Sequence, residues 1–277
     1  MQTARLLRSL PWLPVLLAAS PLSCTSSDRE GDTPSFVTVP DPAGKGSRIN
    51  EIADPKAKTK VPSGTKVSVS GAVVIAVDSY DETHNGKSAG TIYVADLGSQ
   101  DPYAGISLYQ PSFSPGNLIP GPGDTLTMTG TYQENQTLPV LFAPGAVLVQ
   151  ITNPSATYMF DSPLADPVDV DITDLQDYSK GRRWLNMLVR VKNVTVQRDA
   201  TTAASGRVSV GLLPETNAAT NCSDPFPKAP TVVNALYNVG ALGITKGTVL
   251  TELVGVVVFF CNLQIAPRSA ADIVVAK

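Results

Sequence analysis

The run Gly123-Asp124-Thr125-Leu126-Thr127-Met128-Thr129-Gly130 has a counterpart later in the chain, Lys246-Gly247-Thr248-Val249-Leu250-Thr251-Glu252-Leu253-Val254-Gly255. Each begins at a Gly turn, alternates apolar with polar side chains, and ends at Gly. Period-two alternation marks a strand with one buried face. One strand used twice is a strong constraint, because it predicts a small β-domain present in two copies.

The flanking segments keep the same order. In the first copy, Val67–Val77 is a long strand, and Gly71 in its middle predicts a bulge or sharp bend. Thr91–Asp96 and Gly105–Tyr109 follow as strands, then Leu138–Phe142 and Ala146–Ile151. In the second copy the corresponding strands are Leu188–Val196, Gly206–Gly211, Thr231–Tyr237, Thr248–Phe260 and Leu263–Ala266. Asp171-Ile172-Thr173-Asp174 stands where Asn50-Glu51-Ile52-Ala53-Asp54 stands in the first. The fourth strand of the second copy runs Val254-Gly255-Val256-Val257-Val258-Phe259-Phe260 without polar relief. It is expected to be covered on both faces, by the Cys222 loop or by the first domain.

The chain of 277 residues holds 21 Gly and 23 Pro and is only 16% charged, which suits an all-β protein rich in turns. The expected fold is two tandem five-stranded Greek-key barrels, at 47–153 and 166–277, joined by a linker at 154–165. A pair of immunoglobulin-like sandwiches is the alternative, but it needs more strands per copy than the pattern supplies.

Residues 1–23 read as a secretory signal, with Arg5 and Arg8 ahead of a short apolar run from Leu10 to Ala19. Leu22-Ser23-Cys24 resembles the lipobox of bacterial lipoproteins, although Pro21 stands where Leu is usual. The resemblance implies a lipidated Cys24 at the new amino terminus and attachment to the bacterial outer membrane. Residues 24–46 are the polar tether. An exported chain with Cys222 and Cys261 remaining most simply joins them in a disulfide. Two cysteines without a nearby His do not have zinc-ligand spacing.

At Val67-x-Val69-x-Gly71-x-Val73, Thr91-Ile92-Tyr93-Val94-x-Asp96 and Gly123-Asp124-x-Leu126-x-Met128-x-Gly130, the first copy resembles OB-fold domains of secreted bacterial nucleases and surface lipoproteins. The second copy departs from that pattern at Lys246-Gly247-Thr248, which lacks the Asp, and at Gly206–Gly211, which lacks the aromatic. An OB-fold carries ligands on the face of strands two and three. The candidate ligand residues there are Tyr93, Ser107 and Tyr109, with Tyr103 and Phe113 on adjoining loops; tyrosine rings on such a face stack on bases or sugars. In the second copy, Arg190, Lys192 and Arg207 form a candidate basic stripe for an anionic polymer. Paired cations on a strand's solvent face are equally the ordinary protection of a sheet.

Net charge is −3, and acidic residues outnumber basic ones between Ser47 and Asn153, which disfavours binding of nucleic acid through its phosphates. The oxygen-rich loop Asp78–Gly86 is a candidate Ca²⁺ site, but it lacks the EF-hand pattern and its composition is that of a solvated hairpin; Asp169, Asp171, Asp174 and Asp177 are a weaker candidate of the same kind. His84 is the only histidine, and no catalytic signature motif is present. The expectation is a non-catalytic, lipid-anchored envelope protein that binds or scaffolds an envelope protein or polymer, with no cofactor or metal. A single-stranded nucleic-acid accessory and a glycoside hydrolase or binder using paired carboxylates are the alternatives.

Overall fold

The first domain is built on β1 (Lys66–Val77), β2 (Ile92–Asp96), β3 (Gly105–Tyr109), the short β4 (Ser112–Ser114), β5 (Asp124–Asn135) and β6 (Leu148–Asp161). β1 bends at Gly71, whose φ is +68°, and its register with β5 shifts between Val69 and Ala72. The bend lets one strand serve two neighbours. Its first half pairs with β5 and its second half with β2. β2 pairs with β3 and β5 with β6, all antiparallel, and a parallel pairing of β3 with β6 closes the ring. That order is a five-stranded OB-type barrel. The helical turn α1 (Ile49–Ala53) enters its core with Ile49 and Ile52, against Ile106, Leu108, Met128 and Ile151.

The computed structural model describes residues 46–135, 146–164, 166–213, 229–260 and 262–276. The signal 1–23, Cys24 and its tether, the strand expected at Leu138–Phe142, and Cys222 and Cys261 with their expected disulfide lie outside the described residues.

The second domain contains β7 (Val168–Asp169), a 3-10 turn (Ile172–Gln176), α2 (Tyr178–Gly181), β8 (Leu188–Thr195), β9 (Arg198–Thr202), β10 (Val208–Gly211), β11 (Thr231–Val233), β12 (Val249–Phe260), β13 (Asn262–Ala266) and β14 (Ile273–Val275). β8 and β9 are two halves of one long strand interrupted at Val196 and Gln197. β8 pairs with β12 and β9 with β10; β10 pairs with β11, β11 runs parallel to β13, and β13 pairs with β12. This is the pairing order of the first barrel, with β5 and β12 in the same place. In each copy the strands pair in one continuous ring rather than in the two separate facing sheets of the sandwich alternative.

Three expectations are corrected. The segment 154–165, expected as a linker, is strand as far as Asp161, because β6 continues along β5 through Tyr158 and Phe160. Pro154 is accommodated where the β5–β6 register shifts, opposite Gly130, with Asn153 in left-handed backbone. The strand expected at Thr231–Tyr237 ends at Val233. There the side chain of Asn234 takes over, accepting the Val208 N–H at 2.8 Å. Lastly, the outward face of β2 meets protein rather than solvent. Val73, Ile75, Tyr93 and Ala95 of the first barrel share one buried apolar cluster with Leu188, Val233, Val254, Val256 and Val258 of the second. The first barrel thus covers β12, one of the two covers its apolar run predicts.

Candidate ligand cleft at the barrel junction

Asn186 sits in the short turn between the 3-10 turn Arg182–Trp184 and β8, a polar residue in the apolar run Trp184-Leu185-Asn186-Met187-Leu188. Its backbone is left-handed, at φ +63°, and it is 1% exposed. Its N–H donates to Val257 O at 2.8 Å, and its side-chain amide donates to Val149 O of the first barrel at 3.1 Å. Ser107 donates to the same Val149 carbonyl at 3.2 Å. Two polar side chains, one from each barrel, therefore converge on one carbonyl at the closing edge of the first barrel.

Above them lies a cleft of about 150 Å³ lined by Thr91, Tyr93, Ser107, Tyr109, Leu148, Gln150, Asn186, Val258 and Phe259 among others. Tyr93, Ser107 and Tyr109, the three candidates on the strand-two and strand-three face, all reach it. Only Tyr109 is well exposed, at 51%; Tyr93 and Ser107 are buried. The lining carries hydroxyls and amides and no carboxylate or cation. The second barrel has turned an open β-face into a small uncharged recess.

Tyr103 and Phe113 stand elsewhere. Both are partly buried against the core of the first barrel, and Tyr103 donates its backbone N–H to Arg183 O at 2.7 Å. The three cations are engaged in ion pairs. Arg190 meets Asp169 at 3.2 Å and Glu252 at 3.4 Å, and Lys192 meets Asp169 at 2.7 Å. The Lys192 hydrogen bond, with Arg190 behind it, holds Asp169 below the usual carboxylate range. Arg207 pairs with Glu82 across the junction at 2.6 Å and lies 3.9 Å from the centre of the Phe260 ring.

The acidic residues set aside as cation ligands have local uses. Asp171 accepts the Thr173 N–H at 2.9 Å and Asp177 the Ser179 N–H at 2.8 Å, each at the start of a helical turn. Asp174 pairs with Arg183 at 2.6 Å. Asp81 organises its own loop through the N–H groups of Asn85 and Gly86. Asp78 is different: it is 7% exposed, and its Oδ1 has no hydrogen-bond partner. Burial, then the neighbouring Glu82, pushes its carboxyl up to about 7, against the Tyr80 N–H and the Arg207 guanidinium. Sequence reasoning missed Asn186 and Gln150, although a lone Asn inside an apolar run was a visible signal.

No protein-family model matches the chain, and no curated protein matches it. Among solved structures it is similar to the wild-type single-stranded DNA binding protein from Thermus aquaticus, at 14% identity and a TM-score of 0.19, over 74% of this chain and 91% of that one. A deletion mutant of that protein is similar at 16% identity and a TM-score of 0.19, over 74% and 92%. At that TM-score the likeness bears on neither ligand nor partner, and the fold rests on the strand pairings above.

Proposed function

We propose that the chain is a non-catalytic binding module of the bacterial envelope, held by a lipid on Cys24, whose paired barrels act as one rigid head. The observation that carries this reading is the junction cleft, an uncharged recess with one exposed ring, Tyr109, and amides from Gln150 and Asn186. Such a lining suits a neutral polar ligand or segment, held by ring stacking and hydrogen bonds rather than by ion pairs. The sole histidine, His84, lies exposed in the loop before β2 and is not among the lining residues, so the lining holds no general base of that kind. Two experiments test the reading. Cys24→Ala should release the chain from the membrane fraction; continued fractionation with membranes refutes the anchor. Titration with neutral envelope saccharides should move the fluorescence or NMR signals of Tyr109 and Asn186 before any others.

A second reading is favoured by the same exposed tyrosine: the cleft takes a base of single-stranded nucleic acid. Because Arg190, Lys192 and Arg207 are all ion-paired, affinity would come from stacking, with a shallow salt dependence. Fluorescence anisotropy with a labelled oligothymidine at low salt tests it. Binding that is lost in Tyr109→Ala supports it, and absence of binding removes it.

A further inference from the structure

The loop after β1 brings Asp78 and Glu82 to the junction, and the turn before β10 brings Arg207 to meet them from the second barrel. The approach is close. A Cβ on Gly206, the residue before Arg207, would lie 2.9 Å from Glu82 O. The Arg207 Nη2 is taken by Glu82 Oε1 at 2.6 Å. Glu82 Oε2 and Asp78 Oδ1 are both buried without a hydrogen-bond partner. Tyr93 of β2 faces the same group, feeling Asp78, Glu82 and Arg207. The charged and titratable groups around Asp78 are therefore Glu82 on its own loop, Tyr93 on β2 and Arg207 on the second barrel.

A buried carboxylate, Asp78, therefore stands beside the half-buried Glu82–Arg207 ion pair that spans the junction. With both carboxylates ionised, the cluster holds an uncompensated negative charge in a place that water barely reaches, which is costly. A proton on Asp78 removes that charge and leaves the Glu82–Arg207 pair intact. We propose that Asp78, Glu82 and Arg207 form a pH-sensitive latch that tightens the barrel junction on acidification and loosens it as Asp78 ionises.

The raised Asp78 carboxyl agrees in sign. A group that binds its proton more strongly folded than unfolded contributes stability that is complete below the unfolded value of 3.8 and is lost as pH rises through about 7. This is independent of what the cleft binds.

The test is amide hydrogen exchange of Val254–Val258 in the full chain at pH 5.5 and 8, corrected for intrinsic rates. Opening should be about tenfold or more easier at pH 8, the equivalent of one pKa unit or more. Asp78→Asn should remove most of the difference, leaving only the smaller part that Asp96 contributes, and should exchange at pH 8 markedly more slowly than the unsubstituted chain does at that pH. Carboxyl carbon NMR of the unsubstituted chain gives an independent arm should that variant not fold: a titration midpoint for Asp78 near 7 is expected. A midpoint near 4, equal opening at both pH values, or an unchanged pH dependence in Asp78→Asn overturns the latch.

Discussion

The carboxylate of Asp96 accepts the backbone N–H of Ile49 at 2.7 Å, and its other oxygen accepts that of Asn50 at 3.0 Å. Asp96 ends β2, while Ile49 and Asn50 open α1, so a strand end caps a helical turn far away in sequence. Asp96 is 1% exposed, and Ile49 fills the core beneath it. Asp96→Ala would bury two N–H groups without acceptors, at about 1–3 kcal/mol each. Asp96→Asn keeps one good acceptor and should cost about half as much. Urea unfolding of the two variants against the unsubstituted chain measures both values; equal, negligible costs would remove the cap from the account.

Asp96 also bears on the pH profile. Burial pushes its carboxyl up to about 6, against the pull of the Ile49 and Asn50 N–H groups. Its stability contribution is full below the unfolded value of 3.8 and is lost as pH rises through about 6. Asp78 extends the same fall to about 7. Carboxyls held below their usual range act in the opposite sense and lose stability as pH drops below about 4. These include Asp169 through Lys192, Asp171 through the Thr173 N–H, and Glu134, where bonds from Lys60 and Tyr132 outweigh burial. The melting temperature should therefore peak on the acid side, at about pH 4 to 5. Circular dichroism melts from pH 3 to 8 check this, and a melting temperature that climbs steadily toward pH 8 contradicts it.

The sequence made the repeat legible because strands with one wet face alternate, as Asp124–Gly130 does. It also made the bulge legible, because a bulge that needs positive φ is taken by glycine without strain, and Gly71 takes it. The junction was harder to read. Alternation turns Tyr93 away from the core of its own barrel, and nothing in a single strand says whether water or another domain lies on that side. The continuous apolar run of β12 was the one hint, since a strand with no polar face is covered twice. The end of β6 was not legible either: proline ordinarily interrupts a ladder, but the register shift opposite Gly130 lets β6 run through Pro154 into the segment expected as a linker. The cleft escaped notice because Gln150 and Asn186 come from different barrels and share no motif.

The junction should count as core. Ile75 is fully buried in the cluster shared by both barrels, so Ile75→Ala should cost about 2–5 kcal/mol, as in any well-packed interior. Ile119 is 89% exposed, and Ile119→Ala should stay within about 0.5 kcal/mol of zero. Denaturant melts compare the two. If Ile75→Ala is as mild as Ile119→Ala, the barrels do not depend on one another for stability.

Gly105 gives the sharpest test of how closely the barrels meet. It opens β3, and a Cβ placed there would lie 2.5 Å from the backbone oxygen of Asn186 and 2.7 Å from Cγ of Met187. The Met187 side chain can turn aside, but the Asn186 carbonyl belongs to a left-handed turn fixed by hydrogen bonds to both barrels. Gly105→Ala must therefore push the second barrel away from β3. The cost expected for such overpacking is about 1–3 kcal/mol. Gly116→Ala is the control, because a Cβ at Gly116 meets nothing within 4 Å. The displacement should also appear locally, since Asn186 lines the cleft and donates to Val149. The Asn186 side-chain amide resonance should shift and its protection from exchange should drop in Gly105→Ala, while both stay unchanged in Gly116→Ala. A Gly105→Ala chain with the stability and Asn186 amide signal of the unsubstituted protein would show that the two barrels stand further apart than this contact allows.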